Sequence, residues 1–185
     1  MPFRLTRRRG IPTRAALLTF ALASLVIAAA KAGTPLPSLP VQSLDGKPLQ
    51  LPAALPPCPV LLIIGFTRAS GTQTSAWSRR LGRDGTCATG LVVYQLAVTE
   101  DIPGMFRGMA VRGIRNSVPV ALHPRFLLID KDAARWRELV RYEGEDDAYL
   151  LLLDADHSVS WRHAGLLQAP AERALRAAIT AVNTP

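Results

Sequence analysis

The sequence predicts an α/β domain in three layers, helix–sheet–helix, with a mixed central sheet, an N-terminal hairpin and one inserted helix. Three observations carry that expectation. The apolar runs "VLLIIGF" (60–66), "LVVYQLAV" (91–98) and "AYLLLLD" (148–154) have the length and composition of strands buried on both faces. Segments with helical spacing separate and follow these runs. The turn "ADH" then leads from the third run into "SVSWRHA" (158–164), an antiparallel partner. A chain of 185 residues can bury one proper core but not two comfortable ones.

Residues 1–32 look like an address rather than part of that core. Arg4, Arg7, Arg8, Arg9 and Arg14 precede an uncharged apolar run, Ala15 to Ala30, and Ala30-Lys31-Ala32 offers small residues for signal peptidase. A bilayer span needs about 20 apolar residues, so a cleaved signal peptide is expected ahead of a permanent anchor. An acid-free, Arg-rich front also suits a mitochondrial presequence, but those are amphipathic and this run is apolar all round. The expected location is therefore the periplasm or the exterior, with anchoring to the inner membrane by residues 15–30 as the alternative.

The leader holds six of the 22 Lys and Arg and no acid, leaving 16 basic against 14 acidic residues, about +2. The pI near 10.5 is mostly the leader's. Nucleic-acid binding is accordingly not expected.

Residues 33–40, "GTPLPSLP", suggest an extended, poorly ordered lead-in, with the domain proper at 41–185. "VQSLDGKPLQL" places Asp45-Gly46 between two short extended pieces, a strong hairpin signal. After the strand 60–66, Ser70 and Gln73 have capping-box spacing, and Trp77 and Leu81 begin an apolar stripe. In 102–115, Ile102, Met105, Phe106, Met109 and Ile114 fall at helical spacing, with Pro103 in the first turn and three weakening glycines. "RFLLI" (125–129) is either a short strand or the entrance to a helix at 130–140. "EGEDD" (143–147) is an acidic loop, and 170–182 forms a closing helix with Ala174, Leu175, Ala178, Ile179 and Val182 on one side.

"IIGFTRASGTQTSAW" (63–77) has the strand–loop–helix form of several catalytic loops, so its chemistry must be weighed. A phosphate-binding loop requires G-x-x-x-x-G-K-[ST]. Here five residues separate Gly65 from Gly71, and Thr72 stands where Lys would hold the phosphates. A nucleophile elbow needs G-x-S-x-G and a nearby base; Ser70 lacks the flanking glycine, and His157 is expected in a turn far from the loop. Thioredoxin chemistry needs a thiolate at the helix start, where free N–H groups and the helix dipole lower its pKa. The helix start offers Ser70, Gly71, Thr72, Gln73 and Thr74 instead. The proline that thioredoxins place before the third core strand is also missing, at Asp147 or Ala148. Thr67-Arg68-Ala69-Ser70 matches the peroxiredoxin T-x-x-C with Ser for Cys.

Only Cys58 and Cys87 carry sulfur in thiol form, with no CxxC and no zinc spacing. An isolated pair in an exported protein points to a disulfide. Each precedes one of the first two core strands, so both should lie at the sheet's amino-terminal end, away from the loop. The expected bond is a structural staple.

The order hairpin, β, α, β, α, β, β, α is that of the thioredoxin fold. "GFTRASGTQTSAW", "VVYQLAV", the segment around "MFRGMAVRGIR" and "AYLLLLDADHSVSWRHAG" resemble the mitochondrial family that assists assembly of the membrane sector of ATP synthase, and its bacterial relatives. That resemblance implies a thioredoxin-like protein without CxxC that chaperones a membrane subunit. The expectation is thus a non-redox binding or assembly factor for an envelope or membrane protein, using a cleft of Thr67, Arg68, Ser70, Thr74 and Trp77. Its partner would be a protein client, with membrane contact only through an uncleaved N-terminal segment. No catalytic residue, metal or cofactor is expected. The alternative is a thiol oxidoreductase or peroxiredoxin-like antioxidant enzyme acting through Cys58 and Cys87.

Overall fold

A computed structural model describes residues 33–82 and 85–184; the expected leader and its apolar run lie outside them. Eight strands form one sheet: β1 (Thr34–Pro35), β2 (Leu39–Ser43), β3 (Pro48–Leu51), β4 (Val60–Gly65), β5 (Val92–Val98), β6 (Phe126–Ile129), β7 (Tyr149–Leu153) and β8 (Ser158–Ala164). Their spatial order is β1-β8-β7-β4-β5-β6-β2-β3. β4, β5 and β6 run parallel, while β7 and β2 flank them antiparallel. The helices are α1 (Ser70–Leu81), α2 (Gly104–Ser117), α3 (Ala133–Val140) and α4 (Ala169–Asn183), with one-turn and two-turn 3₁₀ segments at 87–89 and 120–125.

β4 and β7 are neighbours inside the sheet, and every one of their residues is buried. A continuous apolar run can satisfy its backbone only between two other strands, with both faces covered. Alternation then sorts the side chains. Leu61, Ile63, Val93, Leu150 and Leu152 face α1 and α4, where Trp77 and Leu175 complete one core. Val60, Leu62, Ile64, Leu96, Leu151 and Leu153 face α3, where Trp136 and Val140 complete the other. β6 resolves the ambiguous "RFLLI" as a strand, paired parallel to β5 from Gln95↔Phe126 to Val98↔Ile129.

The N-terminal residues depart from expectation. Within residues 33–40, expected to be a poorly ordered lead-in, Thr34–Pro35 form β1 and Leu39 and Pro40 begin β2. Thr34 pairs with Val159 on one side of the sheet, and by Gln42 the chain pairs with Leu128 of β6 on the other. Leu36, Leu39 and Val41 are buried in the α3-side core on the way. Alternating Leu and Pro supplies both the apolar anchors and the extended backbone, a combination that composition alone reads as linker. The hairpin that follows turns at Gly46, whose φ of 95° favours a residue without Cβ.

α2 packs only part of the apolar set that its spacing picks out, Ile114 among it. Its inner residues are Val111 and Ile114, with Val118 just beyond, packed on Leu44, Phe126 and Leu128. Met105, Phe106 and Met109, which fall at helical spacing in the sequence, are exposed. The spacing was right for a helix, but two apolar stripes compete on it and the β-branched one packs. A Cβ on Gly108 or Gly113 would meet nothing within 4 Å. Gly108→Ala should therefore stabilise the chain by about 1 kcal/mol, the interior Gly-to-Ala difference. A thermal melt should show Tm rising by ~2–4 °C.

Candidate functional site

The loop after β4 closes on itself through hydroxyls. The Thr67 N–H donates to Ser70 Oγ (3.1 Å), and the Ser70 N–H donates to Thr67 Oγ1 (3.1 Å). This reciprocal pair has the hydrogen-bond pattern of a capping box, set three residues earlier than the expected Ser70–Gln73 pair and in the turn just before α1, whose own N-cap, Ala69, makes no side-chain cap bond. Ser70 Oγ also donates to the Thr67 carbonyl (2.9 Å), and Thr67 Oγ1 donates to the Glu145 carbonyl (2.7 Å). Ser70 thus has its hydroxyl proton and a lone pair committed to the backbone of one residue. His157 is not placed to free it: its Nε2 lies 2.9 Å from the Pro56 carbonyl, near the start of β4.

Of the five residues expected to line a cleft, Thr67 is half-buried and Arg68 is exposed on the turn. Ser70, Thr74 and Trp77 are buried, at 0%, 2% and 0% exposure. They face the sheet and cannot present side chains to a partner. Thr74 Oγ1 donates to the Gly71 carbonyl and accepts from Gln95 Nε2, both at 3.1 Å. Trp77 Nε1 donates to the Gly165 carbonyl (3.1 Å). A Cβ on Gly65 would lie 2.9 Å from Ser70 Oγ and 3.1 Å from Thr74 Cγ2. The glycine that ends β4 therefore lets α1 settle directly on the strand, which is what buries the expected cleft. The surface left at this end carries Arg68, Ala69, Thr72, Glu145 and Asp146.

Around this loop the supporting groups are aromatic. Phe66 meets Tyr142 and Tyr149 edge-on at 4.8 and 5.4 Å, and the Arg137 guanidinium lies 5.5 Å from the Phe66 and Tyr142 centroids. Arg137 is also paired with Asp101. Tyr149 Oη accepts the Glu143 and Gly144 N–H groups and donates to the Gly144 carbonyl, so the acidic segment is folded about a phenol. Burial pushes the Tyr142 phenol up. Among the described residues, no three His, Cys, Asp or Glu side chains converge to hold a metal ion. The Leu51–Pro52 peptide is cis, whereas Asp147 and Ala148 occupy the place of the thioredoxin proline.

On the near side, His163 stacks on Trp161 (5.7 Å) and meets Trp77 edge-on (5.6 Å). Burial holds its imidazole below the usual value, against the opposing charge of Asp147. The unfolded chain then takes up the proton first, so this contribution is complete above about pH 6.5 and is lost as pH falls through the lowered folded value. Urea midpoints at about pH 7.5 and about pH 5.5 should therefore differ more in the wild type than in His163→Gln.

Cys58 and Cys87 form a disulfide with Cα atoms 5.6 Å apart. It lies beside the Val60↔Val92 pair that begins β4 and β5, at the opposite end of the sheet from the loop. Cys58 is 7% exposed and belongs to the core, whereas Cys87 is exposed. An open depression of about 370 Å³ adjoins Cys87, lined in part by Leu55, Thr86, Tyr94 and Arg125.

With the same architecture, solved structures give a TM-score of 0.54 for a thio-disulfide isomerase from Thermus thermophilus, at 19% identity over 84% of this chain and 99% of that one. The fold is thioredoxin-like. BsSco, of the Sco family of cytochrome c oxidase assembly proteins, gives 0.54 at 12% identity, covering 83% of this chain and 96% of its own. The thioredoxin domain of a thiol-disulfide oxidoreductase from Bacteroides vulgatus gives 0.55 at 13% identity, covering 80% and 97%. No protein-family model and no curated protein matches the chain. At these identities the likeness speaks for the fold alone.

Sequence reasoning located the strand–loop–helix turn after β4 and the pair of sulfurs, but missed the exposed ridge of α2. The signal for it was available: Met105, Met109 and Arg112 share one helical face, while Val111, Ile114 and Val118 share another.

Proposed function

We propose that this chain is a thioredoxin-fold binding or assembly factor for an envelope or membrane protein and does not turn over thiols. The observation that carries the reading is the Thr67–Ser70 capping pair, which occupies the helix start where a reactive sulfur would sit. A hydroxyl there has a pKa far above anything the helix N-terminus can bring to neutrality. BsSco supplies a precedent in which this fold belongs to a family of assembly proteins. The basic, apolar leader supports export to the periplasm or exterior, and the client would be a protein of that compartment. The exposed rim at Arg68 and Ala69 is the part of the expected cleft that a client could still touch.

The decisive assay is insulin reduction with dithiothreitol as the source of electrons, run beside thiol titration of the native chain. No acceleration over dithiothreitol alone is expected, together with a Cys58–Cys87 bond that resists the glutathione pool, as structural disulfides with potentials below about −300 mV do. Multiple turnovers that vanish in Cys87→Ser would overturn the proposal. That outcome would establish the second reading, a thiol oxidoreductase working through Cys58 and Cys87, which the exposure of Cys87 beside an open depression favours.

A further inference from the structure

Four of the five large apolar side chains that stand exposed among the described residues lie on α2 and the turn after it. Met105, Phe106, Met109 and Val120 are 83%, 50%, 67% and 78% exposed. Met105, Met109, Arg112 and Asn116 follow each other at helical spacing along the ridge opposite Val111 and Ile114. Exposures this high belong to protruding tips and not to the walls of a groove. A surface that receives them must yield around them, as the boundary between lipid headgroups and acyl chains does.

The charge on the same stretch has one sign. Between Pro103 and Arg125 the ionised side chains are Arg107, Arg112, Arg115 and Arg125, with no acid. The remainder of residues 33–185 has 12 Lys and Arg against 14 acids, so the positive excess of the domain is concentrated here. Arg107 and Arg115 donate to backbone carbonyls of Glu100, Ile102 and Leu44, which fixes them in place without cancelling their charge. Arg112 lies exposed on the ridge itself. Guanidinium groups bind phosphate oxygens through paired N–H donors better than ammonium groups do.

From this combination we infer that α2 and the turn after it dock the domain on an anionic membrane surface. Met105, Phe106, Met109 and Val120 enter the headgroup boundary, Arg112 meets lipid phosphates, and the other arginines add to the local positive potential. This contact is separate from the one expected of an uncleaved N-terminal segment, and it does not depend on whether the disulfide is catalytic.

The test uses the full chain on vesicles of phosphatidylcholine alone and with about 30% phosphatidylglycerol. Because the leader is the same in every variant, differences between variants isolate α2. Hydrogen exchange should slow across 104–117 on the anionic vesicles and not on the neutral ones. Met105→Ser/Phe106→Ser/Met109→Ser should abolish that protection and weaken binding at least about tenfold, given the apolar area withdrawn. Arg112→Glu should weaken it at least about fivefold, the factor for losing one basic side chain at such a surface. Circular dichroism checks that both variants fold, and Arg112→Glu alone suffices if the triple variant does not. Unchanged exchange of α2 on anionic vesicles, or equal binding by wild type and a folded variant, overturns the proposal. So does protection seen only with membranes that carry their proteins, which would assign the ridge to an acidic protein partner.

Discussion

Replacing Cys58 and Cys87 together by Ala should cost about 3–4 kcal/mol of stability, read as a fall in the urea midpoint. The bond joins residues 29 apart in sequence, and closing a loop of about that length removes roughly this much freedom from the unfolded chain. The folded chain changes little, because β4 and β5 are already held in register from Val60↔Val92 to Gly65↔Ala97. The denatured ensemble of the variant expands instead, so the urea slope should rise as the midpoint falls. A loss under about 1 kcal/mol would mean that the unfolded chain is already compact between these positions. Wild type kept in reductant should coincide with the double variant, which separates the covalent bond from the two side chains.

Trp77→Ala is expected to cost about 3–5 kcal/mol, the range for emptying a buried indole site. Trp77 is fully buried among Leu61, Ile63, Leu150 and Leu175, and its N–H is used by the Gly165 carbonyl. It therefore couples α1 to the segment between β8 and α4. Trp77→Phe restores most of the volume and should recover most of the loss, leaving about 1–3 kcal/mol for the unpaired carbonyl and the smaller ring. A residue lining a binding cleft would behave oppositely, with stability kept and binding lost. Thermal unfolding of both variants distinguishes the two cases.

The strands and their order were legible because continuous apolar runs admit few alternatives. β4 and β7 must be central, and the glycines and prolines between runs leave little room to misplace a turn. The loop was legible as a position but not as a surface. Ser70, Thr74, Trp77 and Ser78 share one helical face with Leu81, yet a stripe containing three hydroxyls does not look like a buried face. Short hydroxyl side chains satisfy themselves on nearby backbone, as Ser70 does at Thr67 and Thr74 at Gly71. Their burial therefore costs little and leaves no mark in hydropathy. β1 was illegible for a different reason. Two residues pair only because β8 presents an edge, and that edge exists only in the assembled fold. On α2 the apolar residues outnumber the places available to bury them, so spacing could identify the helix but not its inward side.

The pairing of Thr34 with Val159 also constrains when the molecule can be completed. The two residues lie near opposite ends of the described chain, and their contact carries a large loop-closure cost that is met late in folding. While the chain emerges in order, the stretch from Thr34 to Ser43 has neither β8 nor β6 to pair with. β2 can pair early with β3 in the hairpin, and later with β6, but Thr34 and Pro35 stay unpaired until β8 has been made.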